Sequence, residues 1–350
     1  MNKILQTAIA IALSFFPILT VAQAPPLGTV ADFVLFSTDG AVTNTGLSQL
    51  TGNVGTNNGP ITNFGNVDGL MQGATSTTAG AASDLTIAYN FLDAAIPTYF
   101  PAPLLGNGTV WTPGIYSVAQ TATLDNTLTL DAQGNGNALF IIQIEGAFSS
   151  TSGSQVILAN GAQACNVFWK IEGLVNLATN TLFKGTVIAN NAAIVFNTGV
   201  ELEGRALSTT GAITISGTVS RKPTGCGSAV LTGPLAPSLG TLACYTIFSG
   251  NGGVTNTGVT YITGDVGTNV GLATGFQAMN VTGTIHPNPD VSTAQCSDDL
   301  NVVYAYLNTL TSDIPLLFPA DFGNDLVLTP HTYTLDAATV LTGKVTFNAQ

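Results

Sequence analysis

The segment VNLATNTLFKGTVIANNAA (175–193) is followed at once by IVFNTGVELEGRALSTTGA (194–212), the same pattern at a spacing of 19 residues. VILANGAQACNVFWKIEGL (156–174) fits the same frame before them, and ITISGTV (213–219) begins another turn. In this frame Val156, Val175, Ile194 and Ile213 fall in one column, and Leu158, Leu177, Phe196 and Ile215 in a second. Phe168, Val187 and Ala206 make a third. Apolar columns at a constant period are what a β-solenoid requires, because each coil buries its inward residues on the coil below and no coil is stable alone. Period-two alternation with Gly and Asn between the runs fits short strands joined by tight turns. A β-sandwich of short strands would not demand a fixed register.

A second, longer repeat contains the first. Leu27-Gly28-Thr29 and VTNTG (42–46) recur as Leu239-Gly240-Thr241 and VTNTG (254–258). TGNVGTN (51–57) recurs as TGDVGTN (263–269), SDLTIAYNFL (83–92) as DDLNVVYAYL (298–307), VWTPGIY (110–116) as VLTPHTY (327–333), and LTLDAQ (128–133) as VTFNAQ (345–350). The offset grows only from 212 to 217, the mark of a duplicated domain. The expected organisation is a first solenoid domain at 27–222, a Gly/Pro/Ser-rich linker at 223–238, and a second, C-terminally incomplete domain at 239–350. The second repeat stops at the equivalent of Gln133, so the sequence is a fragment or its second copy is degenerate; a fragment is the favoured reading.

One stretch breaks the β pattern. Leu85, Ala88, Tyr89 and Leu92 fall at i, i+3, i+4 and i+7, with Pro97 beyond them, which predicts an amphipathic helix capped by Ser83 or Thr78. It recurs as Leu300, Val303, Tyr304 and Leu307. Laid along the flank of the solenoid, such a helix buries its stripe by packing.

Polarity comes from an unusual source. Only 7% of residues are charged, whereas 50 are Thr and 28 are Asn. Seven basic residues against nineteen acidic give a net charge of −12, which excludes a nucleic-acid partner, since binding a phosphate backbone needs a basic patch. The N-terminus has Lys3 as its only charge, then an apolar run, then Ala22-Gln23-Ala24, which reads as a secretory signal peptide over 1–24. Cleavage after Ala24 is disfavoured by Pro25, and cleavage after Ala22 is the alternative. No later segment reads as a membrane span. The expected localisation is secreted and extracellular, where disulfides form. Four cysteines allow three pairings; one bridge per domain, Cys165–Cys226 and Cys244–Cys296, is the expectation.

The order LGT, VTNTG, TGNVGTN, the SDLTIAYNFL helix, TPGIY, LTLDAQGNGNALFIIQI, NGAQACNVFW, FKGTVIA and GRALSTTGAITI resembles the ice-binding (antifreeze) protein family of bacteria, fungi and diatoms. The resemblance covers 27 to about 222 and the second repeat as far as it runs. It implies a mainly β fold, a discontinuous right-handed β-solenoid with one long α-helix along its flank, here duplicated. It also implies a secreted protein without catalysis that adsorbs to ice and inhibits growth and recrystallisation; a monomer without cofactor or metal is expected. Members often show Thr-Ala/Gly-X-Thr/Asn patterns on one solenoid face. The nearest matches here give the candidate contacts Thr43, Thr45, Thr51, Asn53, Thr151, Thr179, Thr181, Thr198, Thr209 and Thr210. Ice is neutral, rigid and periodic. A binder gains nothing from charges whose hydration must be stripped, and Thr suits it because its branched Cβ stiffens χ1.

Catalysis finds little support. Glu201 and Glu203 lie two apart on a strand-like run but face Leu182 and Lys184 in the preceding coil, so no carboxylate column forms. His286 and His331 are the only histidines and both fall in the second repeat, leaving the first without a triad or metal base. The rival to an ice binder is a secreted adhesin or structural module built on the same solenoid.

Overall fold

The computed structural model describes residues 23–226 and 231–349. The expected signal peptide lies outside these except for Gln23 and Ala24, and so do 227–230 of the expected linker. Among the described residues the fold is mainly β, with parallel sheets and two α-helices, α1 (Ser76–Asp93) and α2 (Val291–Thr309). Two compact units divide the chain. One holds the described residues before 227 with 314–329 and 335–349; the other holds 231–313 with 330–334.

In the first unit the chain winds through three strand faces per coil. An eight-stranded sheet forms one face, in the order Ile61–Thr62, Val42–Thr45, Ile213–Ser216, Ile194–Phe196, Val175–Leu177, Phe148–Ser150, Ala122–Asp125 and Leu104–Gly106. A thirteen-stranded sheet wraps the other two. Its long strands Leu182–Ala189 and Glu201–Ser208 bend from one face to the next at the paired Gly185 and Gly204. Glycine is needed there: a Cβ on Gly204 would stand 1.8 Å from the Gly185 carbonyl oxygen.

Stacking order departs from chain order. Phe33–Ser37, Val42–Thr45 and Gln49–Thr51 pair in parallel with Glu201–Ser208, Ile213–Ser216 and Val219–Arg221, so the first coil in sequence lies against the last. Helix α1 then returns to the far end, where the strands from Leu104 onward begin. Eighteen residues of helix reach about 27 Å, most of the roughly 34 Å spanned by the seven strand spacings of the eight-stranded sheet. Thr75 caps α1 in a reciprocal capping box with Thr78, so the helix starts earlier than Ser83 and Thr78 is the third helical residue. Ala81, Leu85, Ala88 and Leu92 bury against Phe33, Phe36, Ile141, Phe168, Ile188 and Leu207, which closes this third face to solvent.

The inner columns follow the 19-residue register from Val175 onward: Val175, Ile194, Ile213 and Val42 align, as do Leu177, Phe196, Ile215 and Asn44. The coil before them differs. Phe148, not Val156, precedes Val175, 27 residues back rather than 19. The excess lies at a corner holding the 3-10 turn Ala164–Asn166, and Val156 and Leu158 pair instead with Leu128 and Leu130. Trp169, not Phe168, aligns with Val187. Trp169 fills the interior with Phe148 and Phe183, while Phe168 turns outward under α1.

In the second unit, Tyr245–Ser249 pairs with Asp265–Thr268, Val254–Thr255 with Ala273–Thr274, and Ile262–Thr263 with Val281–Thr282. Helix α2 has its own capping box, Asp290 with Thr293. Of the predicted stripe only Val303 is buried; Leu300 is half-buried and Tyr304 and Leu307 are exposed, because the short strands here pair mostly two by two and offer the helix little surface. Cys165–Cys226 forms a disulfide as expected. Cys244 and Cys296 do not: Cys244 is an exposed thiol ending a 3-10 turn and Cys296 a buried one on α2, pushed up to about 11 by burial. No helix among the described residues is long and apolar enough to cross a membrane.

Candidate functional site

Two faces of the first unit remain open, and their outward side chains differ in kind. The face carrying Thr127–Asp131, Gln155–Ala159, Val219–Arg221 and the first halves of the two long strands displays Asp131, Lys184, Glu201, Glu203 and Arg221. Glu203 bridges Lys184 at 2.9 Å and Arg221 at 3.1 Å. Burial works against its charge, yet these two cations hold its carboxyl below the usual range.

The eight-stranded face carries one ionisable residue in its strands, Asp125, at a margin where it accepts hydrogen bonds from Thr151 (2.7 Å) and Asn126 (3.4 Å). Its central outward row reads, coil by coil, Leu104, Thr123, Ser149, Asn176, Val195, Thr214, Thr43 and Thr62. Hydroxyls on neighbouring coils touch: Thr43 and Thr62 at 3.0 Å, Thr123 and Ser149 at 3.1 Å. A second row runs two residues further along the strands, with Thr45 in register with Ser216 and Thr198 3.3 Å from the Ser216 hydroxyl. Strand geometry sets a grid of about 4.8 Å between coils and about 6.7 Å between rows. The result is an uncovered, nearly uncharged array of methyl, hydroxyl and amide groups.

Of the residues singled out from sequence, Thr43, Thr45 and Thr198 lie on this face. Thr151 and Thr179 sit at the corner leading to the charged face, and Thr209 and Thr210 at the opposite corner, where they bond Asn190 and Asn191. Thr51 is elsewhere, beside Arg221 on the charged face. Asn53 lies on the strand Asn53–Thr56, its side chain accepting from the Leu70 backbone. Thr181 is fully buried, its hydroxyl bonded to Ser150 and the Ala178 carbonyl, and has nothing to offer a surface. Sequence reasoning missed Thr62, Thr123, Ser149, Asn176, Thr214 and Ser216. The signal was there for Asn176 and Thr214: each follows an inward column residue by one position, and strand alternation turns that position outward.

The other dense polar cluster pins α1. Lys170, 2% exposed, lies 2.7 Å from Asp93, 2.8 Å from Glu172 and 3.1 Å from Glu145. Tyr89 donates to Glu172 at 2.7 Å, and Asn190 to both. Burial alone would strip the Lys170 charge, but the three carboxylates hold its pKa above the ordinary lysine value. Glu172 is likewise kept ionised, below its ordinary range, against the cost of burial. Gln143 donates to the Leu92 and Ala95 carbonyls and so closes the C-terminal end of the helix. Every member is engaged in holding the helix, and no His, Asp, Glu or Cys group among the described residues has a metal-binding arrangement.

Residues 36–220 and 248–350 match the family described as ice-binding-like. An ice-binding protein of Nostoc sp. (strain HG1) is 37% identical over 198 residues, 55% of this chain and 72% of that protein. Among solved structures, the ice-binding protein from an Antarctic bacterium, Flavobacteriaceae, superposes with a TM-score of 0.90 at 68% identity, covering 94% of this chain and 78% of that one. An ice-binding protein from an Antarctic biological consortium gives 0.56 at 34% identity, over 60% of this chain and 96% of that one. This chain belongs to the ice-binding protein family.

Proposed function

We propose that this chain is a secreted, monomeric ice-binding protein that adsorbs to ice through the threonine face and so inhibits growth and recrystallisation, with no cofactor and no catalytic step. The observation that carries the reading is the contrast in outward chemistry. Of two open faces built by the same coils, one concentrates charge and the other displays ordered Thr, Ser and Asn over several coils. Ice offers uncharged hydrogen-bonding partners at fixed spacing, and stiff Thr side chains lose little rotamer entropy on docking. Bound molecules leave the ice front curved between anchor points, which opposes further growth.

The proposed contacts are Thr43, Thr62, Thr123, Ser149, Asn176 and Thr214 in the first row, with Thr45, Ser216 and Thr198 in the second. Thr151, Thr179, Thr209 and Thr210 border it. In the same reading the coils wind right-handed in a discontinuous solenoid. Residues 27–222 and 239–350 are then two copies of one unit joined by 223–238, a division supported by the two segments that match the family. The disulfide Cys165–Cys226 supports an oxidising compartment. Nanolitre osmometry on the full chain tests the function: thermal hysteresis, faceted crystals and inhibited recrystallisation are expected. Unshaped crystals and normal recrystallisation at micromolar protein would favour an adhesin or structural module instead.

A further inference from the structure

The repeated VTNTG motif contains a residue that the threonine face does not display. Asn44 lies between Thr43 and Thr45 but points inward, 3% exposed, in the column Leu177, Phe196, Ile215, Asn44. An amide in an apolar column is costly unless bonded, and this one is. Its Nδ2 donates to the Gly46 carbonyl (2.9 Å) and to the Asn63 carbonyl in the next coil (3.1 Å), and its Oδ1 accepts from Ser48 Oγ (2.7 Å). Ser48 Oγ in turn accepts from the Thr218 backbone N–H in the coil on the other side (3.0 Å). Two carbonyls facing one end of the amide leave only this orientation.

The location is informative. Val175–Leu177, Ile194–Phe196 and Ile213–Ser216 follow one another along the chain, so the connecting turns help set their register. Val42–Thr45 lies against Ile213–Ser216 with about 170 residues between them, and no short connection sets their register. A slip of one residue would turn Thr43 and Thr45 inward. We propose that Asn44, with Ser48, is a positioning residue that locks the threonine rows in register across this junction, by a side-chain chain running from Thr218 through Ser48 and Asn44 to Asn63. The second unit repeats the amide's own bonds, without the leg to a further coil: Asn256, half-buried beside Thr255, donates to the Gly258 and Gly275 carbonyls and accepts from Thr260. The inference rests on the threonine face being the ice-contacting one.

The test is thermal hysteresis of the full-length Asn44→Asp variant near 0 °C, with circular dichroism in the same buffers. The groups bonded to Asn44 are one hydroxyl and two carbonyls, none of which titrates. An aspartate at neutral pH keeps the acceptor for Ser48 but sets a second acceptor oxygen, in place of the Nδ2 donor, against the two carbonyls; protonated there, it regains one donor. Hysteresis should fall at least about threefold at pH 7 with native dichroism and partly return near pH 4, while the unsubstituted chain changes little. Native Asn44→Asp with undiminished hysteresis at pH 7 overturns the proposal. If that variant does not fold, Ser48→Ala decides: native dichroism with reduced hysteresis supports the lock, and unchanged hysteresis refutes it. Thr43→Tyr separates the two readings. If it abolishes hysteresis while both other variants are normal, the face stands and the lock falls; if Thr43→Tyr is also normal, both fall.

Discussion

The threonine face and the charged face are built by the same turns of chain, a few residues apart, with the same strand spacing. Inward they are alike: Leu128, Leu130 and Leu202 bury behind one as Val175, Ile194 and Ile213 do behind the other. Outward they part. One carries the Lys184–Glu203–Arg221 chain of ion pairs with Asp131 and Glu201, the other rows of Thr, Ser and Asn with Asp125 alone at a margin. Strand propensity favours an outward Thr over an outward Lys on either face alike, so it does not by itself gather the charges on one of them. The difference between the faces therefore reports on what each meets outside the protein.

The largest expected effect separates the faces directly. Thr214→Tyr, at the centre of the first row, should remove most of the thermal hysteresis, because the bulky ring holds the neighbouring Thr43 and Val195 positions off the crystal. Thr129→Tyr, outward on the charged face, should leave hysteresis unchanged; equal losses in both variants would break the distinction. Next comes the covered face. Lys170→Met leaves three carboxylates crowded at the end of α1 and should cost about 3 kcal/mol of stability in chemical denaturation. A loss under about 1 kcal/mol would mean that the apolar side of α1 holds the helix without the pin.

Titration sharpens the same point. The Glu172 carboxyl is lowered in the folded state, so its contribution is present above the ordinary glutamate value and lost as pH falls through its lower folded one. Lys170 is raised, so its contribution is present below the ordinary lysine value and lost only as pH rises beyond that. Melting temperature should be level from about pH 6 to 9 and decline below about pH 4, and Lys170→Met should shrink the acid decline. The smallest effect is expected on the charged face. Glu203→Gln removes two partly exposed bridges, costs up to about 1 kcal/mol, and leaves hysteresis as it was.

Much of the architecture was legible from the chain. Val175, Ile194 and Ile213 stack as the 19-residue period requires, and Leu85, Ala88 and Leu92 bury as helical spacing requires, because both periodicities are local consequences of backbone geometry. The register failed at Val156 because a corner loop lengthens that coil without disturbing its strands, which no fixed period can see. The site was half legible. Partial fits to the Thr-Ala/Gly-X-Thr/Asn pattern led to Thr43, Thr45 and Thr198 but equally to buried Thr181 and to Thr51, since a motif does not say which of three faces its strand occupies. Cys244 and Cys296 illustrate a similar limit: one pair per repeat is sensible arithmetic, but burial and geometry decide whether two thiols meet.

By itself, then, the sequence determined the coil, its period, its flanking helix and the low charge that makes an ordered uncharged surface available. Those properties arise from residues near one another along the chain. Only the tertiary structure decided which face is covered by α1, which collects the charges, and that residues 42–45 join 213–216 to extend the threonine rows. The physical reason is that a face of a coil stack is assembled across coils, and at this junction its neighbours come from opposite ends of the repeat.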